Sequence, residues 1–151
     1  MARIAIACDH AAVALKDSLS GWLNESGHIV SDLGTHAGER VDYPDYGYRL
    51  AEAVASGEAD YGVALCGSGI GISIAVNRNP ACRCALVGEP LSARLARQHN
   101  DANIIAMGAR LTGEDMAKAC LEAFLETAYE GGRHDGRVAK LSHPNFAKEP
   151  L

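Results

Sequence analysis

VALCGSGIGISIAVN, Val63 to Asn77, decides how this chain is read. An apolar run ends in a cysteine, three glycines follow at alternate positions, and a second apolar run takes over. Closely spaced glycines between apolar segments read as a tight strand-to-helix turn, since glycine allows both the turn and a close approach of backbone to a ligand. The N–H groups of such a turn, with the helix start behind them, can converge on an anion. Cys66 stands at the lip of the turn, next to whatever is bound, where the local field favours a thiolate. A plainer reading is open too: the glycines only turn the chain, and Cys66 packs as a small hydrophobe.

On either side of this turn, strand and helix patterns alternate. RIAIA (3–7), HIVSDL (28–33), YGVAL (61–65), CALV (84–87) and NIIAM (103–107) read as five strands. AAVALKDSLSGWLNES (11–26) repeats apolar residues at helical spacing and stops at Gly27. A loop, 35–46, leads to the helix DYGYRLAEAVAS (45–56), with Pro44 suited to a first turn and Gly57 as the stop. The helix after the glycine turn is predicted to reach about Arg78, and the one begun by Pro90 to end near Gln98. Thr112 is expected to cap GEDMAKACLEAFLETA (113–128), with Asp115 completing a weak capping box. A last helix, about 133–147, has no strand after it. Alternating strands and helices predict a three-layer α/β/α sandwich, Rossmann-like, around a five-stranded parallel sheet.

The chain is 151 residues long and 48% hydrophobic, enough for one domain with a real core. Its net charge of −5 argues against a nucleic-acid surface, so an anionic small ligand needs a local basic pocket. No apolar run is long enough to span a membrane, and MARIAIACDH lacks the layout of a signal peptide, so a cytoplasmic protein is expected. Five cysteines, an odd number with no export signal, argue against structural disulfides. Cys82-x-Cys84 has no second Cys or His pair at zinc spacing, so no metal is assigned.

In parallel sheets, ligands sit beyond the carboxyl ends of the strands. That rule selects Cys8-Asp9-His10, the turn from Cys66 to Gly71, Gly88, and Gly108 to Arg110. The turn fails several known patterns. A dinucleotide fingerprint needs glycine where Ile72 stands, a phosphatase C-x5-R loop needs arginine there, and a P-loop needs a lysine that is missing. No second cysteine makes a redox pair with Cys66.

CDH after the first strand, DYPDY, CGSGIGISIAVN, SARLARQHNDANIIAMGAR and YEGGRHDGRV occur in this order from end to end. Together they resemble the type B ribose-5-phosphate isomerases of the ribose/galactose phosphate isomerase family. The resemblance implies an aldose–ketose isomerase with no metal and no organic cofactor. It implies that Cys66 moves the proton between C1 and C2, and that Ser68 assists proton movement at the substrate oxygens. The amides of Gly67, Ser68, Gly69, Ile70 and Gly71 would form the anion hole. Asp9 and His10 would contact substrate with Tyr43 nearby, His99 would open the sugar ring, and Asn100 would bind beside it. Arg110, Arg133 and Arg137 would bind substrate, the last two with His10 near the phosphate. One branch of the family carries a glutamate base where Ile72 stands here, so this chain resembles the cysteine branch.

The chemistry fits these residue types. Isomerisation takes a proton from carbon next to a carbonyl, and oriented N–H donors stabilise the enediolate that forms. A base works best with its pKa near the working pH, and a histidine can assist ring opening. Arginine forks suit phosphate. Each assignment also has a structural rival. Asp9 could cap the first helix, Asn100 could be a helix C-cap, and Arg133 and Arg137 could be a solvated helix face.

The preferred substrate is ribose 5-phosphate. Allose or galactose 6-phosphate is the alternative within the enzyme class, and a non-catalytic sugar-phosphate sensor is the alternative outside it. His99 lies at the entry end of the sheet and Cys66 at the exit end, with a five-residue strand of roughly 17 Å between them. If both serve one pentose, His99 must come from a partner chain, which predicts a homodimer with shared sites. The last helix would pack on that partner, and a tetramer of two such dimers is the alternative assembly.

Overall fold

The computed structural model describes residues 1–145. Its strands are β1 Arg3–Cys8, β2 Ile29–Asp32, β3 Tyr61–Cys66, β4 Cys84–Leu86 and β5 Ile104–Gly108. Its helices are α1 Val13–Glu25, α2 Tyr43–Ala55, α3 Ile70–Val76, α4 Pro90–Asn100, α5 Glu114–Glu126 and α6 Asp135–Ser142, with a 3-10 turn at Gly132–His134. All strand pairs are parallel, in the order β2-β1-β3-β5-β4. The chain leaves β1 towards β2 on one side and returns to β3 on the other. A topological switch point therefore lies between the carboxyl ends of β1 and β3.

Side-chain alternation sorts the sheet into two faces. Ile4, Ile6, Cys8, Val63, Leu65, Ile105 and Met107 pack into one core with residues of α1, α4 and α5. Ala5, Ala7, Ala64, Cys66, Ile104 and Ala106 pack into the other with α2 and α3. The second face is lined largely by alanine, which lets those helices lie close to the sheet. Gly47 of α2 takes this further, because a β-carbon there would stand 2.9 Å from that of Ala75 in α3. Cys66 points to this face, and a one-residue register slip would turn its sulfur into the opposite core.

Lys16 is fully buried on α1. Its ammonium is held by Asp17 at 2.8 Å and by Asp32 at the end of β2. Asp32 also accepts from the amide of Gly34, whose carbonyl receives the Cys8 amide. A buried charge with two carboxylate partners thus ties the edge strand to the end of β1.

Several boundaries differ from expectation. α2 begins at Tyr43, with Pro44 in its first turn. α3 stops at Val76, because the Asn77 side chain clamps the backbone of Cys84 with two hydrogen bonds, 2.8 and 2.9 Å. α4 runs through Asn100, so Asn100 is no C-cap. That place belongs to Asp101, left-handed at φ 45° and held by Arg97 and Arg83. Thr112 does not cap α5. The N-cap is Gly113 without a side-chain bond, and Thr112 is buried with its amide on Gly108. The last helix is shorter than expected, and residues 146–147 of that expectation lie outside the described residues. None of the helices among the described residues is long and apolar enough to cross a membrane.

Candidate active site

A cavity of about 530 Å³ opens at the switch point, lined by Asp9, Tyr43, Cys66, Gly67, Ser68, Ile70, Gly71, Ile74, Arg110 and Leu111. Its size suits a small polar metabolite. β3 delivers Cys66 to its floor. Cys66 is 4% exposed, and its sulfur receives the Gly69 amide at 3.1 Å. A hydrogen bond of this kind strengthens when the acceptor carries charge. The amide of Ile70 donates to the Ser68 hydroxyl at 3.2 Å. Two of the five amides expected in the anion hole are thus engaged by the turn's own side chains.

The glycines have separate reasons. Gly69 has φ 77°, and a β-carbon there would meet the Met107 carbonyl carbon at 2.7 Å, so both conformation and space require glycine. A β-carbon at Gly67 would stand 3.4 Å from three guanidinium atoms of Arg110. Arg110 is therefore laid over the turn, its own amide donating to the Gly67 carbonyl at 3.0 Å. Gly71 makes room for the ring of Tyr43, which would meet a β-carbon at 2.5 Å. Tyr43 is 41% exposed and free to swing away. Gly71→Ala is expected to keep the fold while weakening substrate binding roughly fivefold, the size of one lost hydrogen bond. Thermal unfolding and KM check this, and an unchanged KM would remove Tyr43 from the site.

Asp9 is 7% exposed and faces the cavity. Its Oδ1 accepts from the Ala11 amide at 2.9 Å, while the N-cap of α1 is Ala12, so the carboxylate forms a local turn and does not cap the helix. The next ring, His10, is held with Nδ1 between the carbonyl and amide of Val41, at 3.1 and 3.2 Å.

The remaining sequence-predicted residues are elsewhere. His99 lies in the last turn of α4 and stacks on His134, with centroids 4.6 Å apart. Asn100 lines a separate cavity of about 320 Å³ with Cys82, Arg83 and Cys84. Arg133 and Arg137 are exposed, on the 3-10 turn and α6. Within one chain, Asp9, Tyr43, Cys66, Ser68 and Arg110 come together, and His99, Asn100, Arg133 and Arg137 do not join them. Ile74 and Leu111 were not anticipated. Ile74 lies one helical turn beyond Ile70, and that exposed apolar pair was its available signal.

Comparison with known proteins agrees over nearly the whole chain. The Ribose/Galactose Isomerase family profile matches residues 4–141. Ribose-5-phosphate isomerase B of Escherichia coli is 46% identical over 142 residues, 94% of this chain and 95% of that protein. A galactose-6-phosphate isomerase subunit of Clostridium acetobutylicum is 42% identical, over 91% of this chain and 79% of its own length. The solved structure of a ribose 5-phosphate isomerase from Thermotoga maritima superposes with a TM-score of 0.92 at 46% identity, covering 93% of this chain and 97% of that one. With a shared parallel fold and a match from Ile4 to Leu141, the chain belongs to the ribose/galactose isomerase family.

Proposed function

We propose that this chain interconverts D-ribose 5-phosphate and D-ribulose 5-phosphate in the pentose phosphate pathway, without metal or organic cofactor, as a cytoplasmic enzyme. The observation that carries the reading is the Cys66 sulfur on the glycine turn, 3.1 Å from the Gly69 amide and in one cavity with Asp9, Ser68 and Arg110. The Cys66 thiolate takes the C2 proton of the open-chain aldose. The C–H electrons form the C1–C2 double bond, and the carbonyl electrons move to O1. Amides of the turn stabilise this enediolate, and the Ser68 hydroxyl carries a proton between O2 and O1. Cys66 then returns its proton to C1, leaving the ketose carbonyl at C2. His99 opens the furanose ring, Asn100 binds beside it, and Arg133, Arg137 and His10 hold the phosphate.

His99, Asn100, Arg133 and Arg137 reach this cavity from the partner of a two-fold dimer. Ile70, Ile74 and Leu111 on the cavity's rim are 50%, 58% and 73% exposed, an apolar border that a second copy would cover. The C-terminal helix packs on the same partner.

A panel of pentose and hexose phosphates tests the substrate. The highest kcat/KM is expected for ribose 5-phosphate. A higher value for a hexose 6-phosphate would replace it, a reading favoured by the 42% identity to the galactose-6-phosphate isomerase subunit. Binding without solvent-hydrogen exchange would make the protein a sensor. Activity is expected to survive exhaustive chelation. Loss on chelation, restored by one divalent ion, would overturn the metal-free mechanism. Arg133→Ala and Arg137→Ala are each expected to weaken substrate binding by about 1.5–3 kcal/mol, the worth of a charge-assisted hydrogen bond. Wild-type kinetics in both would return them to the solvated surface.

A further inference from the structure

His99, Glu130 and His134 offer ligand atoms that all lie within 4.8 Å of one another. His134 Nε2 is already 3.3 Å from Glu130 Oε2. Tetrahedral zinc with bonds of about 2.0–2.1 Å holds its ligand atoms roughly 3.3 Å apart. The Glu130–His134 edge therefore has the required length, and the half-buried His99 ring, stacked on His134 with centroids 4.6 Å apart, must turn out of the stack to aim a nitrogen at the metal. Two features point to a built cluster. His134 is 6% exposed, so its imidazole is fixed by packing. The amide of Glu130 donates to the Gln98 carbonyl at 3.1 Å, which fastens this segment to the end of α4 that carries His99. The glutamate side chain remains 47% exposed, leaving an entry route and an open coordination position for water. Two imidazoles and one carboxylate form a donor set suited to zinc.

We propose that His99, Glu130 and His134 form a zinc site whose occupation inhibits the enzyme. Zinc takes the lone pair of the His99 nitrogen that it binds, and that nitrogen can no longer exchange a proton with the sugar. The inhibitory half of the proposal rests on the ring-opening role given to His99 above, whereas the metal site itself does not.

The test uses the intact protein and zinc, in competition with a chromophoric chelator. Cobalt serves as a spectroscopic stand-in. Glu130→Gln alters an exposed side chain and is expected to leave metal-free turnover unchanged. Loss of a direct ligand in Glu130→Gln or His134→Gln is expected to weaken zinc binding by about tenfold or more, no less than the loss of an outer-shell partner. Zinc inhibition should weaken in parallel. The cobalt spectrum should lack thiolate-to-metal charge transfer, and binding should persist in Cys66→Ala. Equal zinc affinity in wild type and both variants would overturn the site, as would binding that disappears in Cys66→Ala. Site-specific binding that leaves turnover unchanged at saturation would overturn the inhibitory half. It would also count against His99 as the ring-opening group.

Discussion

Cys66→Ala is expected to fold normally and to lose both turnover and exchange of the transferred hydrogen with solvent deuterium. A positioned general base contributes about 10²–10⁴-fold, and no other thiol can take over. Burial pushes the Cys8 thiol up to about 12, and the Cys82 and Cys120 thiols up to about 11. Burial raises Cys84 as well. These four stay protonated near neutral pH. Cys8 is at the end of the neighbouring strand, but its side chain packs in the opposite core. The substitution itself is mild, since Cys66 sits on a face already lined by Ala5, Ala7, Ala64 and Ala106. Stability should fall by about 1 kcal/mol or less. Circular dichroism establishes the fold and mass-detected deuterium incorporation reads the chemistry. Near-normal exchange by the folded variant would remove Cys66 from the role of base. A companion measurement is alkylation of Cys66 in the wild type, which saturating sugar phosphate should slow. Equal rates with and without it would separate the thiol from the binding site.

Cys66→Ala and His99→Asn, each inactive alone, are expected to restore about a quarter of wild-type activity when denatured and refolded together. Cys66 ends β3 next to Gly108, whereas His99 precedes β5 and stacks on His134 at the other end of the sheet. The length of a strand separates them, more than one pentose spans. In the proposed two-fold dimer each site would take Cys66 from one protomer and His99 from the other. A mixed dimer then holds one intact site and one doubly defective site. Random pairing makes half the dimers mixed, which gives the quarter. If both residues act within one chain, every site stays defective and the mixture stays inactive. That result, in a sample shown to contain mixed dimers, would refute the shared site.

What the sequence determined by itself is local. Ile4 and Ile6 alternate with Ala5 and Ala7 within a few residues, so β1 was legible from its own side chains. The turn at Gly67–Gly71 was equally plain, because positive φ and close backbone approach are demands met by glycine itself. Together with the carboxyl-end rule, these signals located Asp9, Cys66, Ser68 and Arg110 at one cavity. Tertiary structure decided the rest, because its causes lie far apart in the chain. The order β2-β1-β3-β5-β4 depends on crossovers that no single strand encodes. Thr112 looked like a cap, but its amide is bound to Gly108 and it is buried. α4 passes His99 and Asn100 because Asp101 accepts a left-handed backbone with Arg83, eighteen residues away, as one of its partners. Lys16 would read as a surface residue, yet Asp32 comes from the neighbouring strand to neutralise it inside. His99 and His134 meet only when the end of α4 and the 3-10 turn are packed side by side. Local pattern fixes which backbone conformation each segment adopts. Only packing brings distant polar groups together and sets which charges are buried.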